Sequence, residues 1–339
     1  MLNHRSFSRF AILLLLPFAF GALTPAAKAE LKMDQLEAPE GFAIEVWAEV
    51  PAARTRVVGD GFVVVGTQQK SLYAVPFDAD MQAGEVITVA DDLAVPNGLA
   101  LVDGVLYIAE QPRLIRWGDE PFDPANPKQE PVKIGPDLYD DWHHGWRYME
   151  VDDQGRLYIA IGAPCNVCMP EGMQGTIIRL NKDGSTPDGS PFEVYAKGVR
   201  NSVGLDWSPV NGDLYFTDNG ADMMGDNTPP EELNRVTEAG QDFGFPYFGG
   251  GRAKTKEFGR GNIPDDLEFP VQEFQAHTAG LGVEFYEGDM FPAEYKNDAF
   301  IAQHGSWNRT FPVGYRLMRV RFNEEGEAVG KEVFIDGWL

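Results

Sequence analysis

The chain has 339 residues, with 28 Lys and Arg against 52 Asp and Glu, which gives a formal net charge of −24. Proteins that bind nucleic acids by neutralising phosphates need concentrated Lys and Arg, so this composition excludes that class. It also makes an anionic membrane surface a poor partner. The 37 glycines and 24 prolines exceed average usage and predict a turn-rich chain with many short strands.

Residues 1–29 have the pattern of a secretory signal peptide. Arg5 and Arg9 form a positive start, residues 10–23 are mostly apolar, and Ala27-Lys28-Ala29 matches a cleavage site. The apolar run is too short to cross a bilayer, which takes about 20 residues. We therefore expect a periplasmic or secreted protein without a membrane span, whose single mature domain comprises residues 30–339.

An imperfect repeat runs through residues 30–339. Each unit has a polar or Gly-containing turn, a strand, and a second strand that often ends in an I/L-x-R-like pattern. The first four units begin about 40 to 60 residues apart, a period that is typical of propeller blades. No stretch of 15 or more residues combines helical periodicity with clear caps at both ends. The sequence thus predicts an all-β propeller, with a β-sandwich as the alternative. The paired strands of the five units are 62–65 with 71–73, 105–109 with 114–117, 157–161 with 176–180, 214–217 with 232–236, and 298–302 with 316–320.

Two adjacent histidines, His143 and His144, follow Asp140 and Asp141 directly before the third repeat strand. Loops at one end of propeller blades converge on the central channel, where they can surround a ligand. A histidine there, flanked by carboxylates, can take a proton at neutral pH. The alternative is a pair of surface histidines in a polar loop.

The cysteines Cys165 and Cys168 form a C-x-x-C motif that is followed by Met169. A haem-attachment motif has His at this last position, and no second Cys or His pair stands near enough to suggest zinc. In an exported protein, we predict a local disulfide. A redox-active dithiol is the alternative.

Two further polar loops flank the fourth repeat. Arg200 offers a planar fork of donors suited to a carboxylate or a quinone oxygen, and Asn201 can anchor a neighbouring hydroxyl. An Arg before a strand also commonly makes an ordinary loop hydrogen bond. The carboxylates and carbonyls of residues 217–227 suit a hard cation such as Ca²⁺, although the spacing is not that of an EF-hand. A solvated acidic loop is the alternative there.

These motifs resemble the glucose/sorbosone dehydrogenase family, the soluble PQQ-dependent sugar dehydrogenases, and especially its sorbosone-dehydrogenase-like branch. The matching text covers nearly all of residues 38–339 in order. Its parts are PEGF at 39–42, PNG at 96–98, HHGWR at 143–147, PCNVC at 164–168, RNSVG at 200–204, DNG at 218–220, ELN at 232–234, FGFP at 243–246 and QHGSWNR at 303–309.

The resemblance implies a six-bladed propeller with PQQ over one end of the channel and Ca²⁺ bound to the cofactor. The family's H-x-G-x-R pattern selects His143 as the catalytic base. Arg200 and Asn201 match the pair that contacts the quinone. Gly220 and Ala221 match the residues whose backbone carbonyls hold the cation.

Three positions depart from the family pattern. Ala163 stands where relatives carry a carboxylate that orients the catalytic histidine, so Asp140 or Asp141 would have to take that role. Pro96 replaces a glutamine that precedes Asn-Gly in glucose-type members. The last blade, which supplies arginines for the PQQ carboxylates, is expected to be incomplete, and Arg309 would replace one of those contacts.

The activity that the resemblance implies is PQQ-dependent oxidation of aldose sugars or related aldehydes such as sorbosone. His143 would take the hydroxyl proton while hydride passes from the substrate C1 to PQQ. No haem-attachment motif is present, so a separate electron acceptor, a cytochrome or a quinone, is expected. The alternatives are a Ca²⁺-dependent propeller lactonase or hydrolase and a non-catalytic binding propeller.

Overall fold

The structure, a computed structural model, describes residues 32–338, so the predicted signal peptide at 1–29 lies outside the described residues. Within the described range nearly all regular structure is β-strand, and two single-turn 3₁₀ helices lie at Met33–Gln35 and Ala293–Tyr295. No helix in this range has the length and apolar character needed to cross a membrane.

The strands form five sheets, called blades 1 to 5, and each blade is a four-stranded antiparallel meander. Blade 1 contains β1 (Ala53–Gly59), β2 (Phe62–Thr67), β3 (Leu72–Pro76) and β4 (Ile87–Ala90). Blade 2 contains β5 (Gly98–Val102), β6 (Val105–Ala109), β7 (Arg113–Trp117) and β8 (Pro131–Asp137). Blade 3 contains β9 (Met149–Val151), β10 (Leu157–Ile161), β11 (Thr176–Leu180) and β12 (Glu193–Lys197), and β16 (Gln241–Asp242) adds a short parallel edge. Blade 4 contains β13 (Leu205–Trp207), β14 (Leu214–Asp218), β15 (Glu231–Val236) and β17 (Gln272–Phe274). Blade 5 contains β18 (Gly280–Phe285), β19 (Ala299–Gln303), β20 (Arg316–Phe322) and β21 (Ala328–Ile335).

The five sequence repeats correspond to the two middle strands of the five blades, from β2 and β3 in blade 1 to β19 and β20 in blade 5. The prediction of an all-β propeller is therefore confirmed. The prediction of six blades, the last of them incomplete, is wrong for the described residues, which form five blades with four strands in the fifth. Each blade needs its own repeat, and the sequence has five repeats; the sixth blade was implied by the resemblance alone.

Strand β10 shows how the side-chain alternation of a strand joins neighbouring blades. Successive side chains point to opposite faces of a sheet. Leu157, Ile159 and Ile161 enter an apolar cluster shared with blade 2. Tyr158 and Ala160 enter another cluster shared with blade 4. Because both faces of the blade are covered, all five residues of this strand are buried.

Four apolar clusters of this kind join blades 1 and 2, 2 and 3, 3 and 4, and 4 and 5. Blades 5 and 1 face each other differently, across a boundary that we call the seam. A cavity of about 740 Å³ lies there, lined by β1, by blade 5 and also by Asn97, Tyr148 and Val203, which precede the first strands of blades 2, 3 and 4. An ion pair crosses the seam from Arg56 Nη2 to Glu284 Oε2 at 2.5 Å.

Residues 36–50 run along the outside of the seam and are called the strap. The Phe42 ring packs edge-on against Phe291 and Phe334 of blade 5, with centroids 4.8 and 5.0 Å apart. Farther along, Trp47 Nε1 donates a hydrogen bond of 2.6 Å to the carbonyl of Met81, next to blade 1. The strap therefore contacts both blades that the seam separates.

Candidate active site

The loops that carry the candidate residues all lie at one end of the propeller. In a four-stranded meander, the chain enters the first strand at the same end at which it turns between the second and third strands. Loops 138–148 and 198–204 lead into first strands, while loops 162–175, 219–230 and 304–315 join second and third strands. We call this end the site face, and it brings together all the residues that the sequence predicted.

His143 carries a ring nitrogen on the site face that makes no hydrogen bond to the described residues. Its Nε2 atom is buried and has no hydrogen-bond partner among the described residues. Its ring centroid lies 4.0 Å from that of His144 and 5.7 Å from that of Trp142, which is 80% exposed. A buried polar atom without a partner is rare and costs free energy unless a ligand or water satisfies it. This nitrogen is therefore suited to a substrate hydroxyl.

Neither Asp140 nor Asp141 hydrogen-bonds His143 in the part of the chain that the structure describes, and both are exposed. Asp141 Oδ2 instead accepts a hydrogen bond of 3.2 Å from Gln174 Nε2. The loop is held by Arg147, which is 1% exposed and whose guanidinium donates to the carbonyls of Gln111, Tyr139 and His144. The backbone of the loop is thus anchored, while the predicted carboxylate partner of His143 is not found at either aspartate.

His144 is held by Ala163, the residue at which relatives are expected to carry a carboxylate. His144 Nδ1 lies 2.8 Å from the Ala163 carbonyl oxygen, which can only accept, so Nδ1 carries the proton. Burial, together with the nearby Arg200 and His143, lowers the pKa of His144 to about 2. The His144 ring is therefore neutral at neutral pH and adds no positive charge beside His143.

Arg200 is 3% exposed and almost fully engaged. Its Nε and Nη2 donate to the carbonyl and side-chain oxygens of Asn166 at 2.9 and 2.8 Å. Its Nη1 donates to the Asn219 carbonyl at 3.0 Å, and Nη2 also pairs with Asp222 Oδ2 at 3.1 Å. One N–H of Nη1 is left without a partner within residues 32–338, and it is the only donor that Arg200 retains for a ligand.

Asn166 is a site residue that the sequence reasoning missed. It stands between Cys165 and Cys168, which form the predicted disulfide. Besides accepting from Arg200, its side chain accepts from the Asp222 N–H at 2.8 Å and donates to the Asp222 carbonyl at 3.0 Å. The disulfide loop therefore ties the arginine loop to the acidic loop. The available signal was a polar side chain inside a short closed loop next to the site.

Asp218 positions the Arg200 and Asn201 pair. Its carboxylate accepts the backbone N–H of Arg200 at 2.7 Å and that of Asn201 at 2.5 Å. Directly opposite in the ladder is Glu232, which is also buried. Burial raises the pKa of both carboxyl groups. Asn201 itself is half-buried at the site face.

Gly220 and Ala221 are both buried, and the backbone N–H of each is engaged in a hydrogen bond. The Gly220 N–H donates to Glu231 Oε2 at 2.9 Å and the Ala221 N–H donates to the Gly249 carbonyl at 2.6 Å. No hydrogen bond reaches either carbonyl oxygen from the described residues. A Cβ at position 220 would meet Pro229 Cγ at 2.8 Å, so this close approach requires glycine. Over residues 32–338, no group of three or more His, Cys, Asp or Glu side chains is placed to hold a metal ion.

Arg309 and His277 brace loop 219–230. Arg309 Nη1 donates to the carbonyl of Asp226, and its Nη2 reaches Asn227 Oδ1 at 3.3 Å. His277 Nε2 lies 2.8 Å from the Gly225 carbonyl. Arg309 Nε is buried and has no partner among the described residues. Arg309 thus lies on the site face, as expected, but its guanidinium mainly holds the acidic loop.

Comparisons with known proteins show the family and the fold of the chain. Residues 132–337 match the family model described as Glucose / Sorbosone dehydrogenase. A protein of Borreliella burgdorferi is 32% identical over 338 residues, covering 95% of this chain and 86% of that protein. The aldose sugar dehydrogenase YliI of Escherichia coli K12 is 30% identical over 176 residues, covering 47% of this chain and 44% of YliI. The holo form of the pyranose dehydrogenase PQQ domain from Coprinopsis cinerea superposes with a TM-score of 0.74 at 17% identity, covering 89% of this chain and 86% of that chain.

Proposed function

Because the chain belongs to the glucose/sorbosone dehydrogenase family, whose members are sugar oxidoreductases, we propose that it oxidises aldose sugars or related aldehydes with PQQ and Ca²⁺. The observation that carries the proposal is the buried Nε2 of His143, which has no partner among the described residues and lies on the site face. We expect the sorbosone type of substrate to be accepted along with aldoses.

The residues present fit the two groups. The carbonyl oxygens of Gly220 and Ala221 are the hard donors that Ca²⁺ prefers. The remaining N–H of Arg200 and the side chain of Asn201 are suited to the oxygens of a quinone. Arg309 would need to release part of its hold on loop 219–230 before it could contact a carboxylate of the cofactor.

His143 would act as the general base. Its unpaired Nε2 would accept the proton of the substrate C1 hydroxyl, a role that typically contributes 10²- to 10⁴-fold to the rate. Arg200 is held by its contacts with Asn166, Asn219 and Asp222, so its remaining donor is oriented before substrate binds. The exposed Trp142 stands beside His143 and would cover one side of the bound sugar. When bound, PQQ would supply the quinone that accepts the hydride.

We also propose where the enzyme works and what accepts its electrons. Residues 1–29 would export the chain, so the enzyme would work in the periplasm or outside the cell. Electrons would leave to a separate acceptor, a cytochrome or a quinone. Residues 1–29 hold Arg5, Arg9 and Lys28 and no acid, so the mature chain would carry a formal charge of −24 − 3, about −27. This charge favours a basic carrier, whose reduction rate would fall as ionic strength rises.

The test is dye reduction by the purified mature protein, first alone and then with PQQ and Ca²⁺, over a panel of aldoses and sorbosone. We expect activity that needs both additions. His143→Gln should lower kcat by about 10²-fold or more, because it removes the base. Asp140→Asn lies in the same loop without a bond to His143, so it should stay within about threefold, as a surface substitution away from the chemistry does.

Binding and reaction are measured separately. PQQ binding is followed by the absorbance of the cofactor that stays with the protein after gel filtration. A folded protein that retains no PQQ would contradict the cofactor assignment. A protein that holds PQQ and Ca²⁺ but reduces no dye with any sugar would contradict the reaction.

A further inference from the structure

The disulfide loop, residues 162–168, contacts the two loops that carry the candidate histidine and arginine. The carbonyl of Ala163 accepts a hydrogen bond of 2.8 Å from His144 Nδ1. The Ala163 N–H donates another of 2.8 Å to the carbonyl of Arg200. A single residue of the disulfide loop therefore joins the histidine loop to the arginine loop.

Asn166, which stands inside the disulfide, adds four further hydrogen bonds. Its carbonyl and side-chain oxygens accept from Nε and Nη2 of Arg200. Its side chain also accepts from the N–H of Asp222 and donates to the carbonyl of Asp222. Because Arg200 is buried, water has little access to donors that lose Asn166, and leaving them unpaired costs free energy. The orientation of Arg200 and the position of loop 219–230 thus both depend on where Asn166 is held.

The disulfide between Cys165 and Cys168 fixes the backbone on both sides of Asn166. A disulfide stabilises a fold most when it closes a long loop of the unfolded chain, and this one closes only four residues. Its contribution to global stability is therefore small, and its main effect is local. Both cysteines are half-buried rather than buried, so a thiol can reach their sulfur atoms.

We infer that the redox state of Cys165 and Cys168 controls the order of the candidate site: the disulfide holds Arg200 and loop 219–230 in place, and reduction releases them. The reductant is a second dithiol, which attacks one cysteine sulfur as a thiolate, forms a mixed disulfide and frees the other cysteine. Its remaining thiol then displaces the first cysteine. The pair thus gains two electrons and two protons, while the reductant becomes a disulfide. Only the consequence for Ca²⁺ and PQQ, which the reduced protein would hold more weakly, rests on the proposed function.

Hydrogen exchange of the purified mature protein, measured by mass spectrometry with and without dithiothreitol, tests the inference and needs neither substrate nor cofactor. The chain has two cysteines, so dithiothreitol has no other bond to reduce. We expect reduction to speed exchange about tenfold or more in peptides that contain the Asp222 N–H, because this group bonds to Asn166 Oδ1. Peptides of β2 and β6 should not change, and reoxidation should restore slow exchange.

Three variants separate the role of the disulfide from general loosening. The double variant Cys165→Ser, Cys168→Ser should exchange like the reduced wild type and should not respond to dithiothreitol. Asn166→Ala keeps the disulfide but removes its side-chain hydrogen bonds, so it should speed exchange in loop 219–230 before any reduction. Asn181→Ala makes the same change at the opposite end of blade 3 and should exchange like the wild type. If the double variant does not fold, the reduced wild type and Asn166→Ala decide the question.

Two results would overturn the inference. One is unchanged exchange in loop 219–230 of a protein whose mass shows two free thiols. The other is equal loosening of all five blades, which would mean that the disulfide stabilises the whole fold. Calorimetric titration with Ca²⁺ then tests the consequence for the site: the disulfide form should bind Ca²⁺ about tenfold more tightly than the reduced form, and equal affinities would contradict it. If neither form binds Ca²⁺ while loop 219–230 responds to reduction, the proposed cation site is wrong and the redox control stands.

Discussion

The boundary between blades 3 and 4 and the seam between blades 5 and 1 are built from the same kind of strand but differ in how they are filled. Between blades 3 and 4, Phe216 is fully buried and meets the ring of Phe243 at 4.8 Å. At the seam, Phe300 lines a cavity and is half-buried. Strands of similar composition thus stabilise the ring only where a second blade covers them, since the stabilisation depends on the apolar area removed from water.

Truncating one ring at each boundary gives the largest expected difference. Phe216→Ala should lower the free energy of unfolding by about 3 to 5 kcal/mol, as for other fully buried Phe residues. Phe300→Ala should cost about 1 to 2 kcal/mol, because its site is already open on one side and leaves a smaller new cavity. Urea unfolding curves measure both. Equal losses would show that the seam is packed in solution.

The next largest loss in the free energy of unfolding is expected for a substitution in the strap. Phe42→Ala removes a ring that packs against Phe291, Tyr295 and Phe334, so we expect a loss of about 1 to 3 kcal/mol. The variant should also expose the strap to limited proteolysis, whereas Phe216→Ala should not do so before global unfolding. A strap that stays protected in Phe42→Ala would mean that the contacts of Trp47 hold it alone.

A buried carboxyl in blade 3 provides a pH-dependent comparison. Burial raises the pKa of Glu150 to about 8, the Val151 N–H opposes this shift, and the nearby Asp206 and Glu284 add to it. Below the pKa that Glu150 has in the unfolded state, the carboxyl is protonated in both the folded and the unfolded protein, and it does not change the free energy of unfolding. As pH rises toward 8, only the unfolded state releases it, so the folded state loses stability.

The Glu150→Gln variant removes this titration. Relative to the wild type, it should gain about 1 to 2 kcal/mol in the free energy of unfolding between pH 5 and pH 8.5, part of the full value for such a shift. Urea unfolding of both proteins across this range measures the difference. A difference that does not change with pH would mean that Glu150 is ionised in the folded protein throughout.

The smallest effect is expected at the ion pair that crosses the seam. The side chains of Arg56 and Glu284 are 55% and 63% exposed, so water and salt screen their attraction. Arg56→Gln should change the free energy of unfolding by less than about 1 kcal/mol. Urea unfolding in low and high salt checks this value. A larger loss would show that this pair, rather than the strap, closes the seam.

Much of the fold could be predicted because each blade has its own local sequence pattern. The turn and alternating strand around Tyr158 recur at Tyr107 and Tyr215, and these segments became β10, β6 and β14. Ring closure could not be predicted in this way, since it depends on residues that are far apart in the chain. Nothing near Phe42 in the sequence indicates that its partner is Phe334.

In the candidate site, too, the local motifs could be predicted from the sequence and the long-range contacts could not. The loops of His143, Arg200 and Gly220 were found from motifs that each span a few residues, and the meander topology brings them to one end of the molecule. Their supporting contacts cross between loops and have no local pattern. Asn166 reaches Arg200 and Asp222 from the disulfide loop. Ala163 holds His144 by its backbone carbonyl, a group that every residue type has, so the identity of residue 163 does not indicate this contact.

The strap also has a consequence for the order of folding. The backbone of Glu37 exchanges hydrogen bonds with Asp336, at 2.9 and 3.1 Å. These two residues stand about 300 positions apart, and contacts of such long range form late because a very large loop must first be closed. During synthesis, the strap would leave the ribosome long before its partner strand exists. Its apolar residues would then be exposed until blade 5 is complete, which is the interval in which a chaperone or a neighbouring chain could bind them.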